Sequence, residues 1–194
     1  MCYPFCIEQQ EGCMTVPNKT IRAYKLFRVK GDKLYPLYVL ANRPIPVGVW
    51  LTAEAGEKRQ DGKVKSRLGG LHYRPGFHAG DLPIATHIGG KTDPKLKRPN
   101  YRPADQVWAE VEMADDVDWQ TEATRRGYNS KGRFVAGRAE IDQVPYGGCY
   151  RYKTNPNMTG CWIIGGNMRV LRVLTDEEVK RVNDEAGVAD LPRL

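Results

Sequence analysis

Val107-Trp108-Ala109-Glu110-Val111-Glu112-Met113 decides the fold class of this chain. Val107, Ala109, Val111 and Met113 alternate with Trp108, Glu110 and Glu112. A repeat of two puts one set on each face of an extended chain, the pattern of a half-buried strand. Such a strand needs partners, and candidates lie on both sides of it. Toward the C-terminus, residues 134–141, 149–153, 161–164 and 168–174 continue the β pattern, with Gly165-Gly166-Asn167 as a tight turn between the last two. Toward the N-terminus, residues 21–29 and 34–41 flank Lys30-Gly31-Asp32-Lys33 and predict a hairpin. Residues 47–51 add a short strand. The polar stretch 52–67 follows, as a surface loop or a small hairpin around Asp61-Gly62. Residues 118–126 and 175–186 are the helical stretches. In the second, Thr175 is a good N-cap, Glu178 completes a capping box and Gly187 can end the helix. Val179, Val182 and Ala186 would form its apolar stripe. The expected architecture is a single α+β domain over residues 14–194, mostly antiparallel β with a C-terminal helix. Residues 1–13 lack either periodicity and read as a disordered tail, with Met14 as a second, more natural start.

Composition narrows the class further. A chain of 194 residues, 41% hydrophobic with mean hydropathy −0.56, suits one globular domain. No apolar run approaches the roughly 20 residues of a spanning helix, and the start lacks the basic and apolar regions of a secretory signal. These features predict a cytoplasmic protein with no membrane partner. The five cysteines are an odd number, which argues against a secreted disulfide framework. Cys2, Cys6 and Cys13 match no familiar zinc spacing, so no metal is expected, and the residues assign no cofactor. A net charge of +7 and an isoelectric point near 9.2 favour acidic partners.

All three histidines fall in residues 71–87, and two basic stretches bracket them. Residues 57–67 carry net +3 and residues 91–102 net +4. A neutral, histidine-bearing loop between cationic flanks suits an anion. His78 is the candidate acid–base residue, beside Arg74, whose fork can hold a phosphate or carboxylate. His72, Tyr73, Asp81 and His87, with Lys95, Lys97 and Arg98 from the second flank, complete the expected ligand-binding set. Lys91 and Arg102 of that flank, and Lys58, Arg59, Lys63, Lys65 and Arg67 of the first, are expected to be exposed. Two other readings use the same residues. The imidazoles could converge on a metal from H-x5-H-x8-H, or they could brace the loop through backbone carbonyls with Arg74 paired to Asp81.

Glu110 and Glu112 share one face of their strand, and an E-x-E pair so placed resembles the acidic motif of ADP-ribosyltransferases. Phe27-Arg28-Val29 or His72-Tyr73-Arg74 would match that family's first motif, although no Ser-Thr-Ser strand precedes the pair and much β structure follows it. The resemblance implies an NAD-using enzyme with Glu112 as a catalytic residue. In Tyr150-Arg151-Tyr152-Lys153 the tyrosines share one face and the cations the other, which predicts tyrosines toward the core.

The blocks Leu34-Tyr35-Pro36-Leu37-Tyr38-Val39, Tyr73-Arg74-Pro75-Gly76-Phe77-His78, Tyr150 to Met158 and Trp162 to Val179 resemble a family of small proteins encoded by phages and mobile elements of gut bacteria. The resemblance runs from about residue 21 to 186. It implies the cytoplasm of a bacterial host and a role in phage replication, nucleic-acid handling or interference with host defence, and it brings no site residues with it. The expected function is interaction with nucleic acid or a nucleotide through the 72–87 loop and its basic flanks. An ADP-ribosyltransferase-like enzyme and an anti-defence protein that binds a host protein or a signalling nucleotide are the alternatives.

Overall fold

The computed structural model describes residues 16–67, 69–95, 97–127, 131, 135, 141–154 and 157–194. The expected tail of residues 1–13 and most of the expected strand 134–141 lie outside the described residues. In chain order the strands are β1 (Thr20–Lys30), β2 (Lys33–Tyr35), β3 (Trp50–Thr52), β4 (Lys63–Ser66), β5 (Gly69–His72), β6 (Phe77–Gly80), β7 (Thr92–Asp93) and β8 (Arg98–Pro99). They continue as β9 (Gln106–Ala114), β10 (Val117–Asp118), β11 (Gly148–Tyr152), β12 (Trp162–Gly165) and β13 (Asn167–Val173). The helices are α1 (Gln120–Gly127) and α2 (Asp176–Glu185). The protein is mostly antiparallel β with a C-terminal helix, an α+β fold.

The main sheet runs β10-β11-β12-β6-β1-β9-β13-β3, with β2 also on β1. Its spine is the antiparallel pair β1–β9, in register from Thr20 opposite Ala114 to Arg28 opposite Gln106. β10 follows β9 after only Asp115 and Asp116, yet pairs in parallel with β11 at the far end of the order. The sheet therefore curls until it meets itself. Cys149 of β11 packs in one cluster with Ala23, Phe27, Val111, Met113 and Ile163 although its strand is far from β9 in the order. Gly165 belongs to this closure: a Cβ there would lie 3.1 Å from Met113 Sδ.

Two further layers cover the outer face. Ala123 of α1 and Trp119 just before it pack against Tyr150, Tyr152, Ile164 and Trp162, so the tyrosines do face the core side as expected. α2 and the segment around Ala85 and Ile88 cover Leu26, Trp108 and Leu174. Trp108 is for that reason only 5% exposed, and Glu110, 7% exposed, is covered by Arg22 and Arg172. Strand β9 is buried on both faces over this stretch, a correction to the half-buried reading of its alternation.

The predicted elements shift where backbone chemistry intervenes. The strand expected over 34–41 ends after Tyr35, because Pro36 has no N–H for a ladder. Thr175 caps α2 as predicted, with Glu178 N–H donating to its hydroxyl and Glu178 closing the capping box; Gly187 follows at φ +68. The anchor of α2 is not Ala186, which is exposed. It is the buried Asn183, whose Nδ2 donates to Pro83 O at 3.0 Å. The polar stretch does form the small hairpin around Asp61-Gly62: Arg59 N donates to Lys63 O, and Lys58 bridges Val64.

Candidate functional site

The histidine window is divided between separate surroundings. His78 lies on β6, and its Nε2–H donates to Arg74 O at 2.7 Å across the Pro75-Gly76 turn. Burial pushes its imidazole down to about 4, so the ring is neutral at neutral pH and braces the turn. Its own carbonyl accepts from Lys25 Nζ at 2.6 Å, a buried ammonium that desolvation lowers to about 8. Arg74 Nη1 donates to Tyr152 OH at 3.2 Å. Asp81 does not pair with Arg74. Its carboxylate accepts from Cys161 N at 2.9 Å and Cys161 Sγ at 3.0 Å. His72 is exposed on β5 opposite Lys63, Tyr73 lies beneath Lys58, and His87 meets Trp162 edge-on at 5.4 Å. The three imidazoles occupy different environments, and among the described residues no group of three or more His, Cys, Asp or Glu is placed to hold a metal ion.

The acidic pair is engaged by cross-strand arginines. Glu110 takes Arg22 at 2.7 Å and Arg172 at 3.0 Å, and Glu112 takes Arg169 at 2.5 Å. Arg169 also covers the Trp50 ring. Register explains the set, since Arg22 and Arg169 flank Glu112 on β1 and β13. Glu112 thus sits in an ion pair on the sheet, in a different place from His78.

The two basic flanks do meet, in a cleft of about 640 Å³. Arg28 from the end of β1, Arg67 after β4, and Lys97 and Arg98 from the β7–β8 hairpin supply its charge; Tyr38 and His87 supply aromatic walls; Asp105 is the sole carboxylate among the described lining residues. Arg67 N donates to Tyr38 O at 3.1 Å, which sets those two residues side by side. Lys97 turns the hairpin at φ +54, with its N–H on Asp93 O. Gly89 and Gly90 must be glycines here: a Cβ on Gly90 would lie 2.1 Å from the Tyr101 ring, and one on Gly89 2.4 Å from Tyr101 O.

Folding pairs many arginines with carboxylates, but among the described residues not those of this cleft, nor Arg151 and Arg181 outside it. Arg22, Arg43, Arg59, Arg102, Arg125, Arg126, Arg169, Arg172 and Arg193 all meet carboxylates. Among the described residues Arg28 meets only the carbonyl of Ala41, at 2.9 Å, and its buried Nε has no partner. A buried donor left without an acceptor costs about 1–3 kcal/mol. Neither Arg67, Lys97 nor Arg98 forms an ion pair among the described residues. His87 completes the cleft lining; burial and the Arg102 charge lower its pKa, with Asp190 opposing.

Arg102 corrects the reading of the second flank as uniformly exposed. It is 2% exposed, held by Asp190 at 2.6 Å and stacked toward Trp108. Its Nη1 donates to Ile88 O at 3.0 Å, behind the cleft wall. Of the expected site residues, the cleft gathers His87, Lys97 and Arg98. It leaves out His72, Tyr73, Arg74, His78, Asp81, Lys95 and Glu112. Arg28, Tyr38 and Asp105 had no local signal beyond the two-residue periodicity and the proline at 36. No family model, curated protein or solved structure matches this chain.

Proposed function

We propose that the protein binds a phosphate-bearing ligand of the nucleotide class, free or within a single strand of nucleic acid, in the cleft between Arg28, Arg67, Lys97 and Arg98. The observation that carries this reading is the set of cations that meet no carboxylate among the described residues, gathered in one concave site of about 640 Å³. That volume falls within the range of small-molecule sites. Guanidinium groups hold phosphate through paired N–H donors, and a lysine adds a point charge. Cations already tied to carboxylates would have to break those contacts first; these do not. The proposed setting, the cytoplasm of a phage-carrying bacterium, rests on the four sequence blocks.

Calorimetric titration at low salt with pyrophosphate, nucleoside mono- and diphosphates, and short DNA and RNA single strands tests the reading. Each of Arg67→Ala and Arg98→Ala should weaken binding about tenfold, the scale of one charge-assisted hydrogen bond. For a strand, log affinity should fall linearly with log salt at about −0.7 per phosphate contacted; a small nucleotide shows affinity without dependence on strand length. Absence of binding by every one of these compounds at low salt would sink the proposal.

A further inference from the structure

We infer that the cleft selects a nucleoside phosphate over phosphate alone, with Tyr38 stacking the base and Asp105 accepting hydrogen bonds from the base or sugar. The inference rests on the nucleotide reading above and adds what lies beyond the phosphate. A site built only to hold phosphate gains nothing from a carboxylate, which repels the anion at close range. Asp105 nevertheless lines this cleft, exposed and in no ion pair among the described residues despite the arginines that line it too. Its backbone carbonyl accepts from Val29 N at 2.7 Å, which fixes the residue beside the end of β1 without engaging its side chain. An ionised carboxylate can only accept hydrogen bonds. A ligand fitting it therefore carries N–H or O–H donors as well as negative charge, as nucleosides do. Tyr38 supplies the flat surface. It is half-buried, burial raises its phenol pKa, and its hydroxyl makes no hydrogen bond within the described residues. Stacking on such a ring tolerates any base, whereas the donors facing Asp105 discriminate among them.

The test compares a nucleoside diphosphate with pyrophosphate on the full chain, because the two predictions for Asp105→Ala have opposite signs. The wild type should hold the nucleoside diphosphate more tightly than pyrophosphate. Asp105→Ala should weaken the nucleoside diphosphate severalfold and strengthen pyrophosphate. Tyr38→Ala should weaken the nucleoside diphosphate about tenfold while leaving pyrophosphate nearly unchanged, and Tyr38→Phe should keep wild-type affinity. Far-ultraviolet circular dichroism confirms that each variant is folded; Asp105 is exposed, so its variant isolates the inference even where Tyr38→Ala loses structure. If Asp105→Ala strengthens both ligands, or if pyrophosphate binds as tightly as the nucleoside diphosphate, the selectivity inference is overturned and the cleft is a phosphate site only. If neither ligand binds, the nucleotide reading fails first, and this inference with it.

Discussion

Asp190→Ala should be among the most damaging single substitutions outside the main sheet. The Asp190 carboxylate receives Arg102 Nε at 3.1 Å and Arg102 Nη2 at 2.6 Å, Trp108 Nε1 at 2.8 Å, and Ala85 N at 2.9 Å. The side chains of Arg102 and Asp190 are 2% and 5% exposed. Truncation leaves a buried guanidinium without its counter-charge, which costs about 3–5 kcal/mol. For a chain of this size each kcal/mol moves Tm by roughly 2–4 °C, so a fall of about 6–20 °C is expected. Asp190→Asn, which keeps an acceptor but not the charge, should lose less. The assay is urea unfolding of the wild type, Arg102→Ala, Asp190→Ala and the double variant. The double-mutant cycle should show coupling of about 2 kcal/mol or more, since removing both partners leaves no orphaned charge. The cleft should feel the loss as well, because Arg102 also holds Ile88 O and Ile88 lines the cleft. A loss below about 1 kcal/mol for Asp190→Ala would refute the reasoning, because it would mean that water reaches the pair.

Other outcomes follow from local chemistry. Thr175→Ala removes the acceptor for Glu178 N–H and should cost about 1 kcal/mol, read as a lower urea midpoint with ligand affinity unchanged. His78 is held near 4 in the folded chain by burial, against about 6.5 unfolded, so the unfolded state binds more protons between these values. Its contribution is complete above pH 6.5 and is lost as pH falls toward 4, by about 2–3 kcal/mol; His78→Asn should flatten that slope of stability against pH. Burial, and then the neighbouring carboxylates Asp115 and Asp81, push the Cys149 and Cys161 thiols up to about 12 and 11. Both should resist iodoacetamide at pH 7.5 in the folded protein and react in urea, as peptide mass spectrometry would show.

The fold was legible where one physical rule acts over a short span. Alternation placed the strand at 107–113, and the capping box of Thr175 and Glu178 placed α2. Legibility failed where distant chain supplies the environment. Nothing in Val107 to Met113 reveals that Trp108 is covered by α2 and the segment around Ala85, or that Glu110 is covered by Arg22 and Arg172. The curl of the sheet was equally hidden. It depends on β10 finding β11, a pairing between segments separated by α1 and the residues after it.

The candidate site shows the same limit in terms of charge. Arg98 and Arg102 stand four residues apart in one cationic flank, and composition cannot tell them apart. Arg102 meets Asp190, 88 residues away, and is withdrawn from the surface; Arg98 meets no carboxylate among the described residues and lines the cleft. The flanks bracketing His72 to His87 supply Arg67, Lys97 and Arg98 to the lining of the cleft. Between them, His78 donates to Arg74 O and Asp81 accepts from Cys161, outside the cleft lining. Net charge summed along a sequence counts every cation equally. Folding matches many cations to carboxylates, and among the described residues the unmatched remainder in the cleft is Arg28, Arg67, Lys97 and Arg98 against the carboxylate of Asp105.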